Sequence, residues 1–187
     1  LFSRSALPRP MKNSYFDLID QTFYFPQEGF DLREGYLTFH GISLKYLIEK
    51  YGSPFRFIYL PKIGDQIKKA RNLFNRSIRK NGYTGSYVFC YCTKCNHFRH
   101  VVGEALRHQV NLETSSAFDI DLVLSLHRDG KLPADRFIVN NGYKTDEYLR
   151  KIIGLREAGF SNTVTVLDNA EEVARISALA GGEPVNI

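Results

Sequence analysis

From about Phe55 onward, short runs rich in β-branched and aromatic residues alternate with longer stretches whose apolar positions recur three and four apart. A period of two predicts strands, and a period near 3.6 predicts amphipathic helices. On this basis strands are predicted at Phe55–Leu60, Tyr87–Cys92, Val110–Glu113, Phe137–Asn140 and Thr163–Leu167, with another beginning at Pro184. Helices are predicted near Gly64–Lys80, Phe98–Arg107, Ala117–Arg128, Asp146–Glu157 and Ala170–Leu179. Val101, Val102, Ala105 and Leu106 make one apolar stripe, and Leu149, Ile152 and Ile153 make another. Gly82, Gly130 and Gly159 sit just beyond helix ends, where a left-handed residue closes the last turn.

Strands that alternate with helices predict repeated βα units around a parallel sheet, an α/β fold. Eight such units close a barrel, and four or five are visible here. The choice lies between a small open α/β domain and part of a larger barrel. Glu183–Ile187 reads as the start of a strand with no stop signal after it, which favours the larger barrel. Ahead of the alternation, Met11–Leu37 is aromatic-rich and irregular, and Gly41–Tyr51 reads as one short helix closed by Gly52 and Pro54. The expected organisation is a disordered leader over 1–10, an opening segment over 11–54 and the βα units over 55–187.

With 43% hydrophobic and 24% charged residues, the chain has the make-up of a soluble globular protein. It has no apolar run long enough to cross a bilayer and no secretory signal pattern, so a cytoplasmic location is expected. The net charge of +5 changes little. Its local excess, Lys62 to Arg79, lies on a helix whose apolar side is Ile63, Ile67, Phe74 and Ile78. A solvated helix face explains those charges better than a nucleic-acid patch, because no RNA-binding or zinc-finger motif accompanies them. Three cysteines, an odd number, argue against a disulfide framework.

The candidate chemistry sits at the end of the strand Tyr87–Cys92. If extended geometry persists, Val88, Cys90, Cys92 and Lys94 share one face, and Tyr87, Phe89, Tyr91 and Thr93 share the other. A lysine delivered by a buried strand to the carboxyl end of a sheet is where a nucleophilic amine would be built, since burial lowers its pKa. A lysine snorkelling to solvent is the competing reading. Cys90, Cys92, Cys95, His97 and His100 form a local cluster, but the distant second ligand pair of a structural zinc site is missing. Cys95 is the one thiol placed for reactivity, although packing explains it better, and His97 fits a helix-start or surface histidine. No glycine-rich phosphate loop is present, and Gly181-Gly182 is a helix stop.

Tyr91-Cys92-Thr93-Lys94-Cys95-Asn96 resembles the tyrosine-x-x-lysine-x-asparagine box of the alanine-racemase-like, fold-type III pyridoxal-phosphate decarboxylases. Three further stretches follow the same family in order: Tyr51-Gly52-Ser53-Pro54, Leu112-Glu113-Thr114-Ser115-Ser116 and Asn140-Asn141-Gly142-Tyr143-Lys144. The last is similar to biosynthetic arginine decarboxylases. Two departures stand out: Cys92, Thr93 and Cys95 replace the proline, isoleucine and valine common around that lysine, and Thr114-Ser115-Ser116 replaces alanine-glycine-serine.

The resemblance implies the N-terminal portion of a (β/α)8 barrel, with a C-terminal β domain absent from this stretch. It implies pyridoxal 5'-phosphate as cofactor, Lys94 as its Schiff-base lysine, and Glu113 and Ser116 on the cofactor side. It further implies decarboxylation of arginine to agmatine in polyamine biosynthesis, no metal, no nucleic-acid or membrane partner, and a homodimer or higher homo-oligomer for the full-length protein. A diaminopimelate or other basic amino-acid decarboxylase, and a non-catalytic single-barrel pyridoxal-phosphate-binding protein, are the alternatives. A cap or an ion pair with a surface lysine competes with the site role of Glu113, turn bonds compete for Asn96 and Asn141, and a first-turn helix role competes for Asp119. The 187 residues by themselves are expected to form no agmatine from arginine, and a radiolabelled decarboxylation assay on the isolated chain checks this.

Overall fold

A computed structural model describes residues 29–182 and 184–187. The leader expected over 1–10 and the first part of the opening segment lie outside the described residues. The chain divides into two compact units, the first ending at Ile58 and the second running from Tyr59 to Ile187.

The first unit is an antiparallel meander, β1 (Phe30–Arg33), β2 (Tyr36–Phe39) and β3 (Ile42–Ser43), followed by helix α1 (Leu44–Tyr51). Arg33 pairs with Tyr36 across a two-residue turn in which Glu34 and Gly35 both have positive φ, 53° and 76°. This turn twists in the sense that flanking strands need, and a glycine makes half of it cost little. Within the stretch Met11–Leu37, read as irregular, the described part from Phe30 on is strand and turn, and Gly41–Tyr51 is a short strand plus a helix. Strands of two to four residues carry too little alternation to register as a pattern. Ser43 caps α1 by accepting from the Tyr46 N–H.

The second unit begins with helix α2 (Pro61–Lys80) and continues as β4 (Cys90–Cys92), α3 (Arg99–Arg107), β5 (Asn111–Thr114), α4 (Ala117–Arg128), β6 (Ile138–Asn140), α5 (Asp146–Glu157), β7 (Thr163–Thr165) and α6 (Ala170–Ala180). The strands form a parallel sheet in sequence order, β4-β5-β6-β7. Each helix returns the chain to lay the next strand beside the last, the winding of a barrel wall; a doubly wound sheet reverses its strand order instead. The fold is thus an arc of a (β/α)8 barrel. Beyond it, the Asn186 carbonyl accepts from the Thr165 N–H at 2.9 Å, although Pro184–Ile187 is not a regular strand.

Phe55–Leu60 is not a strand either. A strand exists through its ladder, and among the described residues β4 pairs only with β5. Phe55 and Phe57 instead stack on each other at 6.0 Å. The α2 apolar face is also shorter than its spacing suggests. Ile67 is buried, but Phe74 is half exposed and lies flat on Tyr87 at 4.1 Å. Gly64 of α2 meets the His108 ring, where a Cβ would come within 2.2 Å of Nε2.

Register divides the sheet into two faces. Tyr91, Leu112, Ile138 and Thr163 stand level with one another, so they share a face. Leu112 and Ile138 on that face belong to the core built with Val102, Ile120, Val123, Leu126, Tyr148, Ile152, Leu155 and Phe160, mainly from the helices. Cys92, Glu113, Val139 and Val164 form the next row and point the other way, each only half-buried. In a barrel wall this second face is the lumen.

At the carboxyl ends of β6 and β7, Lys144 and Glu172 are both buried. Lys144 Nζ lies 3.3 Å from Glu172 Oε2 and donates to the Gly142 carbonyl at 2.7 Å. Glu172 also accepts from the backbone N–H groups of Lys144 and Asp168, at 3.2 and 2.9 Å. Burial pushes the Glu172 carboxyl up, but the two N–H donors and the ammonium outweigh it and hold it below the ordinary value. Replacing Glu172 by alanine leaves the buried ammonium only the more distant, partly exposed Asp168 carboxylate at 3.9 Å and is expected to cost about 3 kcal/mol in urea unfolding. Because the folded carboxyl ionises at lower pH than the unfolded one, the pair stabilises fully above the unfolded value, about 4.3, and its contribution is lost as pH falls through the depressed folded value. Glu172→Gln is expected to flatten that acid limb in pH-dependent melts.

Candidate functional site

The parallel sheet delivers four strand ends to one edge, and there the sequence switches from apolar to polar. After β4 come Thr93, Lys94 and Cys95; after β5, Ser115 and Ser116; after β6, Asn141 and Gly142. Carboxyl ends of parallel strands are where α/β proteins build sites, because the loops there are free of the ladder while their roots are fixed by it.

Extended geometry does not persist to Lys94. Thr93–Cys95 is a single three-ten turn, with Cys92 before it still extended at φ −82°, ψ 112°. The turn is anchored by Thr93, buried, whose hydroxyl donates to the Glu113 carbonyl at 3.0 Å. Tyr91 holds the far side, its phenol donating to the Asn96 carbonyl at 2.8 Å. Between these anchors Lys94 is exposed and forms no ion pair among the described residues. The expected burial of its amine is therefore corrected: among the described residues β4 pairs on one side only, with β5, and the three-ten turn carries the lysine off the line of the strand.

Glu113 stands level with Cys92, on the lumen face of the adjacent strand. Its carboxylate accepts from Asn141 Nδ2 at 3.1 Å, and Asn141 Oδ1 accepts from the Gly142 N–H at 2.8 Å. Asn141 thus shapes its own turn and aims Glu113 at once. No lysine pairs with Glu113 among the described residues, so the surface ion-pair reading of this acid does not hold. Ser116 is the N-cap of α4, accepting from the Asp119 N–H at 3.3 Å, and Asp119 accepts from the Ser115 N–H at 2.8 Å. Asp119 is therefore a first-turn helix acid. Asn96 serves its turn, accepting from the Phe98 N–H at 3.0 Å.

Sequence reasoning missed the layer beneath. On the helix-facing side, the row Thr93, Thr114, Asn140 and Thr165 is buried and polar. Thr114 Oγ1 donates to Asn140 Oδ1 at 2.8 Å, and the Tyr148 phenol, 2.7 Å away, donates to Thr114. Asn140 Nδ2 reaches the Val164 carbonyl at 3.1 Å, so a single amide links β5, β6 and β7. The hydroxyl of Thr165 has no partner among the described residues. Burial raises the Tyr148 phenol well above the ordinary tyrosine value, against the smaller opposing effect of its bond to Thr114.

His97 and His100 are exposed, and the His100 ring lies against Phe98 at 5.8 Å. Among the described residues no three His, Cys, Asp or Glu side chains converge as metal ligands, and no helix is long and apolar enough to cross a membrane. An exposed amine just after β4 and, on the next strand, a carboxylate held by an amide are residue types that fit an aldehyde-bearing cofactor.

Comparison with known proteins agrees with that chemistry. Residues 63–187 match the family described as pyridoxal-dependent decarboxylase, pyridoxal binding domain. A biosynthetic arginine decarboxylase of Thermosynechococcus vestitus is 33% identical over 129 residues, 65% of this chain and 19% of the relative. The fold is similar to the biosynthetic arginine decarboxylase of Campylobacter jejuni, with TM-score 0.67 and 18% identity over 85% of this chain and 28% of that one. It is equally similar to a diaminopimelate decarboxylase of M. jannaschi, with TM-score 0.68 and 20% identity over 85% of this chain and 35% of that one. The chain spans about a fifth of the length of the curated relative.

The Tyr148 hydroxyl is expected to contribute about 1 kcal/mol, measured as the loss in Tyr148→Phe. A phenol whose folded pKa is raised stabilises fully below the unfolded value, about 10, and loses that contribution as pH rises beyond it, because only the unfolded chain then ionises. Tyr148→Phe is expected to reduce the alkaline fall in stability, read from urea midpoints on either side of that value.

Proposed function

Since the chain belongs to the pyridoxal-dependent decarboxylase family, matching it in the pyridoxal-binding domain, we propose that it is part of an amino-acid decarboxylase whose Lys94 carries pyridoxal 5'-phosphate as a Schiff base and whose substrate is arginine. The observation that carries the lysine assignment is the position of its amine: exposed, without an ion pair, and presented by an anchored turn at the carboxyl end of a barrel strand. The arginine assignment is supported by the name of the curated relative and by the stretch Asn140-Asn141-Gly142-Tyr143-Lys144.

When bound, the cofactor supplies an electron sink for the pair left on Cα as carbon dioxide departs. The chain's own residues provide a nucleophile and a scaffold. Lys94 offers a primary amine that can attack an aldehyde and be displaced by a substrate amine. Glu113, oriented by Asn141, places a carboxylate on the lumen face one strand away. The Ser116 hydroxyl is engaged in its helix cap, so its contribution on the cofactor side is limited to its remaining hydrogen-bonding capacity. Agmatine as product, a role in polyamine synthesis, a homo-oligomeric state and a cytoplasmic location belong to the same proposal.

Full-length protein incubated with pyridoxal 5'-phosphate and reduced with borohydride is expected to carry the pyridoxyl group on Lys94, located by mass spectrometry. Lys94→Ala is expected to abolish both the adduct and release of carbon dioxide from carboxyl-labelled arginine. An adduct at another lysine would overturn the lysine assignment. Faster turnover of diaminopimelate or ornithine than of arginine would overturn the substrate alone.

A further inference from the structure

We propose that Cys92 and Cys95, on either side of Lys94, form a thiol–disulfide exchange site that takes a low-molecular-weight disulfide such as oxidised glutathione and closes to an intramolecular disulfide. The pair departs from the proline and valine that the resemblance leads one to expect here, and the turn gives it a geometry that two arbitrary surface cysteines lack.

Cys92 is the last residue of β4, and Cys95 ends the three-ten turn that follows. A three-ten turn rises about 2 Å per residue with three residues per turn, so positions three apart stack on one side about 6 Å apart. Disulfides bridge Cα atoms separated by roughly 4.4–6.8 Å. The two thiols are close enough for each to sense the other's charge. Cys90, the remaining cysteine, sits two residues back along an extended strand with a parallel side chain, so its Cβ stays roughly 6.6 Å from that of Cys92, beyond the roughly 3.5–4.5 Å that a disulfide needs.

The two thiols differ in a way that assigns their roles. Cys95 is exposed, whereas Cys92 is half-buried. Burial, and then the nearby Glu113 carboxylate, push the Cys92 thiol up, so it keeps its proton and reacts second. In the first step the Cys95 thiolate attacks one sulfur of the small disulfide, forming a mixed disulfide and expelling one thiolate. In the second, Cys92 gives up its proton and attacks the Cys95 sulfur, forming the intramolecular bond and expelling the other thiolate. The protein is oxidised by two electrons, the small disulfide is reduced to two thiols, and the two cysteine protons end on the leaving groups. The exchange does not depend on the role of Lys94, so this proposal and the cofactor assignment can fail separately.

The test exploits the lysine between the two thiols. Reduced full-length protein is incubated with oxidised glutathione at mildly alkaline pH, unfolded, alkylated and cut with trypsin, which cleaves after Lys94 and puts the two cysteines on separate peptides. The expected product is the peptide ending at Lys94 joined by a disulfide to Cys95–Arg99, separated again by dithiothreitol. Cys92→Ser is expected to stop at one glutathione on Cys95, and Cys90→Ser to keep the link. Three results would overturn the proposal: both cysteines alkylated, a lasting glutathione adduct on Cys95 beside a free Cys92, or a bridge through Cys90 or between two chains.

Discussion

The carboxyl edge of the sheet depends on the buried ion pair between Lys144 and Glu172. Two charges removed from water are tolerated only when nearly every remaining donor and acceptor is matched, and here they are. The ammonium reaches Gly142, and the carboxylate collects two backbone N–H groups from two different loops. The pair thereby ties the loop after β6 to the first turn of α6. Gly142 follows Asn141, whose amide aims Glu113, so the position of the candidate site's carboxylate traces back to a charge pair one layer deeper.

Beneath the lumen face, the row of Thr114, Asn140 and Tyr148 does for the strands what the ion pair does for the loops. Apolar side chains would hold β5 and β6 together, but they tolerate sliding and repacking. An amide bonded to a hydroxyl on one strand and a carbonyl on another accepts one register. This matters at a site spread over several strand ends, where a slip of one residue would exchange the helix-facing and lumen rows.

The helices were the most legible part of the sequence. Ala117–Arg128 and Asp146–Glu157 match the expected limits because Ser116 and Thr145 cap them and the apolar spacing is unbroken. Strands came out shorter than their β-rich runs, since ladder bonds, and not composition, set their ends. Tyr87, Val88 and Phe55–Leu60 have the right residues but, among the described residues, no partner strand. The sequence argument for Lys94 stands only in part. Its place at a strand end is as expected, its burial is not, and the family box carried the rest. The Thr114–Asn140–Tyr148 layer and the Lys144–Glu172 pair were hidden because their members lie 26 to 34 residues apart, far beyond any local periodicity.

The sequential strand order has a consequence for how such a protein is made. Each strand in β4-β5-β6-β7 lies beside the strand that precedes it in the chain, and the helix between them covers the same stretch of wall. A growing polypeptide can therefore add one strand and one helix at a time to what has already emerged, so that along this arc each strand finds its partner in the unit just before it. The polar ties follow the same direction: Thr114 finds Asn140 one unit later, and Lys144 finds Glu172 one unit after that. Synthesis from the N-terminus and assembly of the wall run in the same order, each new unit securing the one before it.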